Sequence, residues 1–72
     1  MRIQLSTHYS NADVYPDREA VIYHNVDKKI FEVEFWEKQQ LVENREMVTD
    51  GVAHSERYAE DAAENWCLGY IP

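Results

Sequence analysis

The chain has 72 residues, with 7 lysines and arginines against 14 aspartates and glutamates, for a formal net charge of −7. One domain, residues 1–72, accounts for this length, close to the lower limit for a self-sufficient core. The carboxylate surplus argues against nucleic-acid backbones and anionic membrane surfaces as partners and in favour of a basic protein partner.

Ile3, Leu5, Thr7 and Tyr9 alternate with Arg2, Gln4, Ser6 and His8, which is the period-2 pattern of a strand. Ser10 to Glu19 reads as a loop with Asn11, Asp13, Pro16 and Asp17 as turn formers. Tyr15 in this loop is a candidate interaction residue, because tyrosine gives contact area at low entropic cost. The plainer reading tucks it over the sheet edge. Ala20 to His24 forms a second strand, followed by the polar turn Asn25 to Lys29. In Ile30 to Trp36, Phe31, Val33 and Phe35 point one way and Glu32 and Glu34 the other. A turn over residues 37–40 leads to a fourth strand, Leu41 to Val48, which Thr49-Asp50-Gly51 ends.

Ser55 to Gly69 then reads as a helix. Ser55 suits the N-cap, Glu56 the positive end of the dipole, and Gly69 the left-handed position after the last turn. Tyr58, Ala59, Ala62, Ala63, Trp66 and Cys67 form one apolar stripe at the helical period. The order β-β-β-β-α predicts an α+β fold: an antiparallel four-stranded meander sheet with the C-terminal helix packed on one face. Phe31, Val33 and Phe35 are expected to meet Tyr58, Ala62 and Trp66.

The other sheet face would carry Ile30, Glu32, Glu34 and Trp36. Trp36 is a large apolar group on a nominally wet surface, either folded over the turn or anchoring a partner chain. Strand register decides whether Ile22 or Tyr23 joins it.

Little in the sequence points to chemistry. His8, His24 and His54 have no ligand spacing to one another or to Cys67. His54-Ser55-Glu56 resembles a catalytic cluster only superficially, since adjacent helical residues do not face one another. Glu56, Glu60 and Glu64, with Asp61 beside them, make an acidic helix row. It is a solvated face first and a docking surface for a basic partner second, with a metal or acid–base role a distant third. Gly51 and Gly69 are the only glycines, so no glycine-rich phosphate loop is present. Cys67 lies on the apolar stripe and reads as a buried free thiol, which fits a reducing compartment. No catalytic residue, cofactor or metal is expected. No apolar run approaches the roughly 18 residues of a membrane span, and the first residues lack the apolar core of a signal peptide. A cytoplasmic location follows.

The closing run His54 to Trp66, with Cys67-Leu68-Gly69 after it, resembles the C-terminal end of small uncharacterised acidic proteins encoded by tailed phages of marine cyanobacteria. That resemblance implies a setting in the host cytoplasm and assigns no activity or site residues. The leading expectation is a small non-enzymatic accessory protein, acting as a homodimer or as a docking module on a host or phage protein. The alternative is an acidic decoy that occupies a basic nucleic-acid-binding or regulatory surface. A small metal protein or enzyme comes third.

Overall fold

The computed structural model describes residues 1–10 and 17–70. Tyr15 therefore lies outside the described residues. The elements are β1 (Arg2–Tyr9), β2 (Arg18–Asn25), β3 (Ile30–Glu37), β4 (Gln40–Glu46), β5 (Val48–Thr49), β6 (Val52–Ala53) and α1 (Glu56–Cys67). β1 to β4 form an antiparallel meander in the order β1-β2-β3-β4, and β5 and β6 pair as a separate small hairpin. The helix lies over β2 and β3 and reaches β1. This is the expected α+β architecture.

The core forms where the inner sheet face meets the helix. It comprises Ala20 and Ile22 of β2, Val33 and Phe35 of β3, Met47, and Ala59, Ala63, Trp66 and Cys67 of α1. Ala59 and Ala63 are fully buried, so the helix backbone sits close to the sheet. The Phe35 and Trp66 rings meet at 5.1 Å, tilted by 42°, within the distance range of interacting aromatic pairs.

The helix ends are built as the sequence predicts. The Ser55 hydroxyl accepts from the Tyr58 amide at 3.3 Å. At the other end Gly69 has φ of 83°. The Gly69 amide donates to the Trp66 carbonyl, and the Tyr70 amide to the Asn65 carbonyl. That pair of bonds is a Schellman cap.

Three expectations need correction. First, the helix is rotated about its axis. Ala59 and Ala63 face the sheet, Ala62 is half-buried, and Tyr58 is 47% exposed. Tyr58 stacks instead on His54, with centroids 3.9 Å apart.

Second, the fourth strand stops at Glu46. Met47 turns into the core, its amide bonded to the Phe31 carbonyl and its carbonyl to the His54 amide. Asp50 and Gly51 both have positive φ and join β5 to β6 as a two-residue hairpin turn, the arrangement that Asp-Gly favours.

Third, the alternation of β1 is broken. Gln4 pairs with Tyr23 and Ser6 with Ile22, which leaves Leu5 as a bulged extra residue. Ile3 therefore lies on the helix side, while Thr7 and Tyr9 lie on the other. A similar bulge in β4 leaves Val42 extra, with Phe35 opposite Glu43 and Trp36 opposite Leu41.

Candidate interaction surface

The register settles which residues share the helix-free face. Paired residues on neighbouring strands point to the same side. Glu19 pairs with Trp36, Val21 with Glu34, and Tyr23 with Glu32. Tyr23 thus joins Trp36, while Ile22 lies in the core. On the two central strands of this face, each of these pairs sets a carboxylate across from an apolar or aromatic group. β1 and β4 add Tyr9 and Leu41 at the Trp36 end, both largely exposed.

Glu32 is only 4% exposed although no helix covers this face. Its neighbours roof it. The Asn25 side-chain amide donates to it at 2.7 Å and the Asn44 amide at 3.2 Å. Arg2 completes the set at 3.3 Å. Burial pushes the Glu32 carboxyl up, yet the two amides, with Arg2 and Lys28, outweigh it and hold the group below its ordinary range.

Glu34 beside it accepts from the Trp36 indole N–H and from Arg2, each at 3.3 Å. The Arg2 guanidinium also lies over the Tyr23 ring, 3.9 Å from its centroid. Burial, then the charge of Glu34 and a hydrogen bond to it, raises the Tyr23 phenol above its usual value.

A shallow open hollow of about 240 Å³ sits on this face, lined by Glu19, Val21, Tyr23, Glu34, Trp36 and Gln39. Val21 is nearly fully buried and the Glu34 side chain mostly so, while Glu19, Tyr23 and Trp36 are partly exposed. Among the described residues no ion pair or hydrogen bond holds the Glu19 carboxylate. Glu34, by contrast, is already engaged.

No protein-family model, curated protein or solved structure matches the chain.

The acidic helix row lies elsewhere. Glu56, Glu60, Asp61 and Glu64 are exposed on α1, away from Trp36. Asp61 also borders a second groove of about 240 Å³ between α1 and β4, with Arg45, Met47, Tyr58, Ala62 and Asn65. Among the described residues, the sequence-predicted candidates therefore divide between two surfaces on opposite sides of the sheet. Glu19, Val21 and Gln39 were missed: cross-strand pairing brings the first two to this face, and the turn after β3 brings Gln39.

The groups with chemical potential are occupied structurally. His54 shares a hydrogen bond with Thr49 Oγ1 at 2.7 Å and stacks on Tyr58. His24 stacks on Phe31 at 5.0 Å, and Ser55 caps the helix. Cys67 is a buried free thiol. Burial raises its pKa, and the opposing influence of Arg18 is smaller. Among the described residues, no group of three or more His, Cys, Asp or Glu could hold a metal ion. No described helix is long and apolar enough to cross a membrane.

Proposed function

We propose that this chain is a non-enzymatic interaction module that docks on a protein partner through the helix-free face of its sheet, around Trp36. The observation that carries this reading is the composition of that face. Trp36, Tyr23 and Val21 line one hollow on it, with Tyr9 and Leu41 at the Trp36 end. Tryptophan and tyrosine, partly accessible here, are among the residue types that dominate binding energy at protein interfaces. The hollow is shallow and smaller than the ~300–1,000 Å³ typical of small-molecule sites, which favours a macromolecular surface over a substrate pocket.

Charge argues for a different protein as partner and against a second copy. Two copies meeting through this face would bring together surfaces that each carry the Glu19 carboxylate with no ion pair among the described residues, on chains that each carry −7. Like charges brought together at an interface oppose association. The resemblance of the closing run to phage proteins supports a role as an accessory factor inside an infected host cell.

The acidic-decoy reading is supported by a separate observation, the exposed row Glu56, Glu60 and Glu64 on the opposite surface. One experiment separates the two. A photo-crosslinking amino acid is placed at position 36 or at position 60, and the protein is expressed in the organism that encodes it. The docking reading expects a discrete protein adduct from position 36, which Val21→Lys abolishes. An adduct from position 60 alone transfers the contact to the helix. Adducts from neither position sink the interaction module.

A further inference from the structure

We infer that the hollow beside Trp36 receives a lysine or arginine side chain from a basic segment of the partner protein. The inference rests on the reading of this face as a docking surface and adds the chemistry of its occupant.

The chain repeats one pattern of cation capture. Arg2 lies over the Tyr23 ring at 3.9 Å and pairs with Glu32 and Glu34. Arg18 lies over the Trp66 ring at 3.9 Å and pairs with Glu37 at 2.9 Å. Arg45 lies over the Phe35 ring at 5.1 Å and pairs with Glu43 at 2.8 Å. In each case an aromatic face and a carboxylate hold one guanidinium, so ring quadrupole and ion pairing act together.

Trp36 offers the same combination. Its cross-strand partner is Glu19, and Glu34 lies two residues away on the same strand and face. Indole is the strongest of the aromatic faces for a cation. Among the described residues, however, no cation of this chain lies over the Trp36 ring, and the Glu19 carboxylate has no partner. Arg18, the neighbour of Glu19, belongs to the opposite sheet face and is turned towards Trp66 and Glu37. Lys38 borders Glu19 from the adjoining turn without forming an ion pair to it. Val21 gives the hollow an apolar floor that suits the methylene stem of a long cationic side chain. The net charge of −7 favours the approach of such a partner.

The test is a titration of the ¹⁵N-labelled full chain with a hexalysine peptide, repeated with hexaarginine and hexaglutamine, followed by NMR. The Trp36 indole cross-peak and the Glu19 and Val21 amides should shift saturably with either cationic peptide and remain still with hexaglutamine. Glu19→Gln should weaken binding by about fivefold or more, the loss of one charge-assisted contact. Glu60→Gln removes the same charge from the helix and should leave affinity unchanged. Equal losses from the two variants would reduce the effect to diffuse electrostatics and overturn the assignment. An absence of shifts at Trp36 would do the same. If crosslinking from position 36 still captures a partner when hexalysine does not bind, the docking face stands and the cationic occupant falls.

Discussion

The indole N–H of Trp66 donates to the backbone carbonyl of Trp36 at 3.1 Å. One tryptophan of the core thus fastens the helix to the strand end from which the other tryptophan projects on the far side. Core and candidate surface share this one peptide unit, and several measurable consequences follow from the packing around it.

Trp66 is 3% exposed and packs against Phe35. Trp66→Ala should cost about 3–5 kcal/mol, the usual range for emptying a buried aromatic site. Trp66→Phe should keep much of the packing and lose the bond to Trp36, for a cost of about 1–2 kcal/mol. Urea denaturation midpoints check both, and a neutral Trp66→Ala would contradict the packing described here.

Ala63 is fully buried between the helix and the sheet. Ala63→Leu has nowhere to place its added carbons without pushing α1 away, and should cost at least about 1–3 kcal/mol. Ala62→Leu, at a half-buried position, should be much better tolerated. Thermal melts of the pair test the rotation of the helix.

The Glu32 carboxyl is held below its ordinary range in the folded state. Its contribution to stability is therefore present above the unfolded value of about 4.3 and is lost as pH falls through the lower folded value. Stability should decline on acidification below about pH 5, and Glu32→Gln should flatten that decline while lowering stability at neutral pH. Denaturation series between pH 7 and pH 2 decide the matter. An unchanged acid limb in the variant would remove Glu32 as its source.

Lys38 and Gln39 both have positive φ, 53° and 64°, in the two-residue turn between β3 and β4. Side chains disfavour that region, and Asn-Gly is the favoured pair for such a turn. The double change Lys38→Asn and Gln39→Gly should stabilise the fold by about 1 kcal/mol. A lower denaturation midpoint would contradict the turn geometry.

The Cys67 thiol is 4% exposed, and burial raises its pKa. Native protein should react slowly with a disulfide reagent at pH 8, and denaturant should release a fast stoichiometric reaction. Fast labelling of the native form would place the thiol outside the core.

Much of the architecture can be read directly from the chain. The alternation of Phe31, Val33 and Phe35 with Glu32 and Glu34 determines the inner and outer faces of β3, because a strand presents successive side chains to opposite sides. Ser55 and Gly69 mark the helix ends through side-chain and backbone needs that few other residues meet. The phase of the helix was harder to read. Tyr58 counts as apolar in a periodic pattern, but its hydroxyl and ring can be satisfied at the surface, here by stacking on His54. The Asp50-Gly51 hairpin carried a recognisable signal, masked by the apolar run through Met47 and Val48. The bulges at Leu5 and Val42 left no mark, because an inserted residue does not change composition. The hollow was hidden for a related reason: Glu19 and Trp36 are neighbours only once register is fixed.

Those same two bulges fall on the outermost strands of the sheet, β1 and β4. Each bends a row of backbone donors and acceptors that would otherwise be a straight template for another copy. A small protein with open borders on both sides is thereby guarded against growing into filaments, and it can keep an apolar patch on display without polymerising through its margins.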